Sequence, residues 1–242
     1  MRKDGRANDQ LRSIRMIPSY ILRVPGSVLI EQGNTRVVCT ATVEDRVPFF
    51  LKNTGKGWIT AEYSMLPGSS GNQRVARERL KTDNRNIEIQ RFLGRALRTV
   101  IDLRAIPDKA ITLDADVLQA DGGTRCASLN GCFLALSLSL KHLVYEHKIP
   151  EFPKLRPIAA VAIGVKDLIL LADLDYEEDS QADADINVVS CESGAIVEIE
   201  AFAESRPVPV DQFQKVIALG IEKNLEIIQL QKKVLKESGI NL

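Results

Sequence analysis

ITLDADVLQADGGTRCASLNGCFLALSLSLKHLV, the stretch from Ile111 to Val144, contains a predicted strand, turn and helix in succession. Apolar and polar residues alternate from Ile111 to Leu118, as they do in a half-buried strand. The apolar run from Cys126 to about Val144 predicts a buried helix. Gly122-Gly123 lies in the turn between them. We therefore expect the fold to be organised around this strand, turn and helix.

Further β-rich runs lie on both sides of this unit, without a strict alternation of strands and helices. Gly33-Asn34 joins the first two as a hairpin, because both residues tolerate the positive φ that a tight turn requires. The pattern predicts an α+β fold with mixed sheets and packed helices rather than a doubly wound sheet. The expected strands are Ser27–Glu31, Thr35–Val43, Ile158–Val165, Leu168–Leu174, and runs near Ile186–Val189 and Ala195–Ile199.

Two amphipathic helices complete the predicted elements. Apolar residues recur at three- and four-residue spacing from Ile89 to Leu103, and three arginines lie mostly off this stripe, where they could face RNA or a neighbouring subunit. Asp211 is expected to be the N-cap of a long terminal helix. The Pro-rich segment 150–157 could link two halves, but no shift in composition marks a boundary, so residues 1–242 are taken as a single domain. The arginines are Arg91, Arg95 and Arg98.

The charges of this chain are balanced overall and uneven along its length. Lys plus Arg equals Asp plus Glu at 32 each, which argues against a protein that simply coats a polyanion. Nine basic and four acidic residues lie between Arg74 and Arg104, whereas eleven acidic residues and no basic one lie between Asp173 and Glu204. The first segment could hold a phosphate backbone and the second a divalent cation. On charge alone, two solvated faces are the better explanation.

The cysteines and the N-terminus indicate the cellular compartment. Cys39, Cys126, Cys132 and Cys191 have neither the spacing of a zinc site nor the density of a disulfide-rich secreted protein, so free and mostly buried thiols are expected. The charged N-terminus is followed by no apolar segment of signal-peptide length, and no run reaches the roughly 18 apolar residues of a membrane span. We expect a cytoplasmic protein with no membrane partner.

The turn before the core helix has the ingredients of an anion site. Gly122 and Gly123 let the backbone approach a ligand closely, the helix dipole at Thr124 favours negative charge, and Arg125 adds a bidentate donor. Arg85 is a second candidate phosphate ligand. An ordinary turn and an ordinary surface arginine are the alternatives.

A cluster of carboxylates between Glu177 and Asp185 is the second chemical feature. Such crowding destabilises a fold unless water or a cation compensates it, and Mg²⁺ prefers one or two carboxylates together with phosphate oxygens. An acidic surface loop is the alternative. No Ser/His/Asp arrangement, Walker loop or zinc signature appears, and His142 and His147 fit helix-end capping better than base catalysis.

Five blocks, in order along the chain, resemble the ribonuclease PH family. Together they cover roughly residues 2 to 200, which is far more specific than any single motif. The blocks are RKDGR at 2–6 with DQLR at 9–12, GWITAEYSMLP at 57–67, EIQRFLGR at 88–95, DVLQADGGTR at 116–125, and DS at 179–180 through DINVV at 185–189.

The resemblance implies a ribonuclease PH-type fold, like domain 2 of ribosomal protein S5, assembled as a homohexamer built from three dimers. It also implies phosphorolytic 3′-to-5′ exoribonuclease activity. Inorganic phosphate attacks the last phosphodiester, releases a nucleoside diphosphate and so trims tRNA precursors and other structured RNA 3′ ends. A catalytic or scaffold subunit of an exosome-type ring is the alternative.

By motif position, the resemblance also implies which residues form the site. Asp179 and Asp185 would be catalytic and would bind Mg²⁺. Arg125 would be catalytic as well and would bind the attacking phosphate together with Arg85, Gly123 and Thr124. The loop from Gly68 to about Lys81 would grip tRNA through Arg74, Arg77 and Arg79. Three departures from the family are Asn84 and Asn86 beside Arg85, Cys126 in place of a common threonine, and the stretch Ala201–Pro207, which differs from a glycine-containing family version.

Overall fold

The computed structural model describes residues 2–71, 74–75 and 84–242. Within these residues the chain forms nine strands and four α-helices. The strands are β1 (Ile14–Pro18), β2 (Gly26–Gln32), β3 (Thr35–Glu44), β4 (Trp58–Met65), β5 (Ala110–Gln119), β6 (Ile158–Lys166), β7 (Ile169–Ala172), β8 (Ala184–Cys191) and β9 (Ile196–Ala203). The helices are α1 (Asn84–Arg98), α2 (Thr124–Tyr145), α3 (Tyr176–Asp179) and α4 (Val210–Glu237).

The first sheet has the strand order β1-β2-β3-β5-β4. Its β2–β3 hairpin turns at Gly33, whose φ of +58° is the positive value that the sequence predicted for this turn. β4 runs parallel to β5, whereas the other pairs are antiparallel. The sheet is therefore mixed, as predicted.

The second sheet has the order β7-β6-β8-β9 and is antiparallel throughout. Its strands overlap the four β-like runs predicted in the C-terminal half, with ends that differ by up to four residues. β7 and β9 are the edge strands, so one side of the β9 backbone has no partner strand in this sheet. Together the two sheets and their helices confirm the α+β class.

α2 is the central helix and packs against β2, β3, β5 and β6, so that it contacts both sheets. Seventeen of its 22 residues are buried, which explains why its sequence is apolar on nearly all sides. A Cβ atom at Gly131 would lie 2.6 Å from Cys39 Sγ, so the glycine permits the close approach of α2 to β3. The predicted buried helix is confirmed.

α2 is also, within the described residues, the one helix long and apolar enough to cross a membrane. From the sequence we expected no membrane-spanning segment, because no run reaches about 18 apolar residues. This helix nevertheless passes by its length and average composition. Because 83% of its apolar window is buried inside the protein, its composition is explained by its place between the two sheets.

Two helix ends differ from the prediction. α1 ends at Arg98, and Leu103 lies in a separate 3₁₀ turn, Leu103–Ala105, because the chain turns away after Arg98. Asp211 is not an N-cap: α4 begins at Val210 after Pro209, and Asp211 lies inside the first turn, where its charge still suits the helix dipole.

All four cysteines are free and buried, as expected. One apolar cluster includes buried residues of both sheets, which is consistent with a single domain. The single domain itself stays a prediction.

Candidate active site

The predicted anion turn joins β5 to α2. Gly122 and Gly123 have φ values of +73° and +64°, and Gly123 is the residue before the first turn of α2. A Cβ atom at Gly122 would lie 2.5 Å from the backbone carbon of Asp175. Because Gly123 has no side chain to cap the helix, the N–H groups in the first turn of α2 remain available to an anion.

A buried ion pair holds this turn against the N-terminal segment. The Arg12 guanidinium binds Asp173 at 2.6 Å and donates to the Asp121 carbonyl at 2.5 Å. Thr35 donates to the Gly122 carbonyl at 2.7 Å, and Gln32 donates to Asp173 at 2.7 Å. The backbone of the turn is therefore fixed before any ligand binds.

A cavity of about 590 Å³ opens beside the turn. Four predicted site residues line it together: Arg85, Gly123, Thr124 and Asp179. The Thr124 hydroxyl accepts a hydrogen bond of 3.0 Å from the Tyr63 hydroxyl, which fixes its orientation. The structure thus brings together residues that are 94 positions apart in the sequence.

Asp179 is placed by the short helix α3. Asp175 and Glu178 form a reciprocal capping box at its start, and Glu178 also pairs with the buried Arg2 at 2.5 Å. Burial raises the pKa of Asp179, while the charges of Arg85 and Arg125 oppose that rise. The N-terminal segment therefore supports the aspartate at the cavity.

Asp185 lies at the start of β8 and is close enough to Asp179 for the two charges to repel each other. Burial, and then the charge of Asp179, raises the pKa of Asp185 to about 6. Its Oδ2 accepts a hydrogen bond of 3.2 Å from Asn187, whereas its buried Oδ1 has no partner among the described residues. Two mutually repelling carboxylates, one with an orphaned oxygen, fit a site that a cation completes.

Arg125 does not line the cavity, and nor does Asp185. The Arg125 guanidinium is held by two carboxylates: Nη1 pairs with Glu200 of β9, and Nη2 pairs with Glu88 of α1 at 2.9 Å. Burial raises the pKa of both aspartates, and the charge of Arg125 partly opposes that rise, so Arg125 lies within electrostatic range of them. The predicted phosphate ligand is thus close to the site and paired with acidic residues.

The basic and acidic segments meet in this region. Arg95 of α1 pairs with Glu198 of β9, two residues before Glu200. Arg98 donates to the Ile59 carbonyl at 3.0 Å and lies over the Trp58 ring. Two of the three arginines predicted to face RNA or another subunit therefore have partners within the chain, and the two charged segments are not simply separate solvated faces.

The predicted RNA loop is described only in part. Arg74 is exposed and does not line the cavity. Arg77 and Arg79 lie outside the described residues. Their role in binding RNA stays a prediction.

Several residues at this site were not predicted from the sequence: Arg12, Tyr63, Asn187 and Glu200. Arg12, Tyr63 and Asn187 belong to blocks that carry the family resemblance, so their position in those blocks was the available signal. No pattern of spacing indicates that Glu200 contacts Arg125, because the two residues are 75 positions apart.

Comparisons with known proteins decide the family. The model of the 3′ exoribonuclease family, domain 1, matches residues 10–141, and that of domain 2 of the same family matches residues 156–223. Ribonuclease PH of Bacillus subtilis is 46% identical over 241 residues, which cover 98% of this chain and 98% of the relative. Ribonuclease PH of Corynebacterium kroppenstedtii is 46% identical over 239 residues, covering 98% and 94%.

The chain belongs to the ribonuclease PH family. It is a phosphorolytic 3′-to-5′ exoribonuclease, which removes nucleotides from an RNA 3′ end with inorganic phosphate. Solved structures with the same fold are an Archaeoglobus fulgidus exosome with RNA bound to the active site (TM-score 0.80, 20% identity, covering 94% of this chain and 91% of that one) and an archaeal exosome core (TM-score 0.76, 20% identity, covering 95% and 90%). At this identity they show the ribonuclease PH fold alone.

Proposed function

We propose that this member of the ribonuclease PH family trims the 3′ ends of tRNA precursors, and that the reaction takes place at the cavity beside the glycine turn. The observation that carries the proposal is the convergence of Arg85, Gly123, Thr124 and Asp179 on one cavity. The charge of Asp179 also helps to raise the pKa of Asp185, which supports a shared role for the two carboxylates. Phosphoryl transfer depends mainly on positioning and on neutralisation of charge, which a turn with free helix N–H groups and a pair of metal-binding carboxylates would supply.

Inorganic phosphate would bind at the start of α2. The first-turn N–H groups and Arg85 would neutralise and orient it, and Arg125 would be its further ligand. An oxygen of this phosphate attacks the phosphorus of the last phosphodiester, and the 3′ oxygen of the penultimate nucleotide leaves. The nucleoside diphosphate carries away the attacking phosphate. Because one anion attacks another, positioning and positive charge are the main contributions of the protein.

Asp179 and Asp185 would hold Mg²⁺. No group of three or more metal-ligating side chains occurs in the described part of the chain, but Mg²⁺ is commonly bound by one or two carboxylates and substrate phosphates. When bound, the cation would supply charge neutralisation at the phosphodiester. The orphaned Asp185 Oδ1 and the raised pKa of Asp185 support this proposal.

Three further expectations belong to the same proposal. Arg74, Arg77 and Arg79 would grip the body of the tRNA, the chain would assemble as a homohexamer, and it would act in the cytoplasm. Retention of the aspartates and Arg125 favours an active enzyme over a scaffold subunit of an exosome-type ring.

The test is phosphate dependence with product analysis. The pure chain is incubated with a 3′-extended tRNA precursor and Mg²⁺, with and without phosphate. We expect trimming only with phosphate, nucleoside diphosphates as products, and loss of at least about a hundredfold in rate in Asp185→Asn but not in the neighbouring Asp183→Asn. Phosphate-independent trimming, or nucleoside monophosphates alone, would show that the proposed mechanism is wrong.

A further inference from the structure

Arg125 is already neutralised by carboxylates of this chain. Glu200 and Glu88 bind different nitrogens of its guanidinium, and their charges outweigh burial so that the pKa of Arg125 is raised. An arginine offers a limited fork of N–H donors, and a phosphate needs the same donors as a carboxylate.

The two carboxylates differ in how easily water can replace them. The side chain of Glu200 is 14% exposed, whereas that of Glu88 is 45% exposed. The Arg125 guanidinium also lies 5.8 Å from the ring centre of Phe92 and 5.5 Å from that of Phe202. Glu200 therefore makes the more protected ion pair, in a position that aromatic rings keep partly dry.

We propose that Glu200 is a positioning residue that competes with inorganic phosphate for Arg125 and thereby weakens the affinity of the enzyme for its co-substrate. The inference rests on the proposed function, since it takes Arg125 as a ligand of the attacking phosphate. In the free enzyme the carboxylate holds the guanidinium; when phosphate binds, Arg125 exchanges one anion for the other.

This exchange has a direct consequence for affinity. Phosphate binding must break a partly buried ion pair and leave Glu200 near a second anion, so the binding free energy is reduced by that cost. Removing only the negative charge of Glu200 should free the guanidinium while keeping a side chain of the same shape. The phosphate affinity should therefore rise.

Glu198 provides a matched control. It lies on the same face of β9, and its side chain is also 14% exposed. Its partner is Arg95, which is not a predicted phosphate ligand and which also lies 3.4 Å from Glu200, so the two glutamates share Arg95 and only Glu200 binds Arg125. Glu198→Gln removes the same charge from the same strand. A general electrostatic or structural effect would appear in both variants, whereas competition for Arg125 would appear only in Glu200→Gln.

The experiment is calorimetric titration of inorganic phosphate into the full-length protein, paired with steady-state kinetics. We expect Glu200→Gln to lower the phosphate Kd and KM by about fivefold or more with kcat nearly unchanged, and Glu198→Gln to change them by less than about twofold. If Glu200→Gln does not fold, Glu88→Gln replaces it, with a smaller tightening of about twofold to threefold expected.

A variant of Arg125 separates this inference from the function on which it rests. If Arg125→Gln weakens phosphate binding but Glu200→Gln leaves it unchanged or weaker, the competition is overturned and the phosphate site stands. If Arg125→Gln has no effect on phosphate binding, the assignment of Arg125 is wrong and the competition is overturned with it. Equal tightening in Glu200→Gln and Glu198→Gln also overturns it.

Discussion

The carboxylate of Asp185 is buried, and burial disfavours its ionised form. Its pKa is raised from an ordinary value of 3.8 to about 6, because burial and the charge of Asp179 penalise ionisation. The folded state therefore binds a proton more tightly than the unfolded state, and the ionised group lowers stability. The penalty is absent below about pH 4 and fully present above about pH 6.

Asp185→Asn should therefore stabilise the metal-free protein while abolishing its activity. At pH 7.5 with a chelator, we expect the free energy of unfolding to rise by about 1–3 kcal/mol, since about two units of pKa correspond to roughly 3 kcal/mol at most. Urea denaturation from pH 4 to pH 8 measures this gain, which should vanish near pH 4.

Asp183→Asn is the control with the opposite sign. Hydrogen bonds from Ser205 and from the Asp167 N–H lower the pKa of Asp183, so its ionised form stabilises the fold and its substitution should reduce stability at pH 7.5. Destabilisation by Asp185→Asn at pH 7.5 would contradict the proposed cost of its charge.

The roles of some site residues could be predicted from the sequence, and the roles of others could not. Gly122 and Gly123 could be chosen because the demand for positive φ is local and belongs to the residue type. Arg12 and Glu200 could not be assigned roles, because their partners Asp173 and Arg125 are remote in sequence and only the fold brings them together.

At the scale of elements, the turn between β5 and α2 carries the anion site. Gly122 combines two constraints there: its φ is +73°, and an added Cβ would meet the backbone of Leu174 and Asp175 at 2.5–2.6 Å. Any side chain would therefore push the turn away from the segment that leads to α3 and Asp179.

Gly122→Ala should cost about 2–4 kcal/mol of unfolding free energy, of which about 1 kcal/mol is backbone strain and the rest is overpacking. Gly55→Ala is a matched control, because Gly55 has a φ of +67° but no atom within 4 Å of an added Cβ. Its cost should be about 1 kcal/mol. Urea denaturation of the two variants compares them, and equal costs would show that the turn does not need its close contact with residues 174 and 175.

Element boundaries were predictable where periodicity decides them and not where tertiary packing does. The β2–β3 hairpin and the buried helix α2 follow from local patterns, and both are confirmed. The apolar spacing after Arg98 continues although α1 ends there, because Val100 and Leu103 contribute to the core from the connection after α1, in which Leu103 begins a 3₁₀ turn. Hydrophobic spacing alone cannot distinguish these cases.

In the whole molecule, the basic and acidic segments of the sequence are brought together as ion pairs. The basic helix α1 and the acidic strand β9 pair directly, and the start of α2 is joined to both through Arg125. The class of fold and the five family blocks could be recognised from the sequence. The cavity could not, because it depends on how β5, α2 and α3 approach one another.

We infer that this cavity holds inorganic phosphate and that Asp179, which lines it, binds a metal ion together with Asp185. Diffraction from crystals grown with Mn²⁺ and phosphate tests this inference, with anomalous data collected at the manganese edge. We predict a manganese peak that contacts the carboxylates of both Asp179 and Asp185, and phosphate density beside Gly123, Thr124 and Arg85. Manganese bound elsewhere with both aspartates empty, or phosphate bound outside the cavity, would contradict the account.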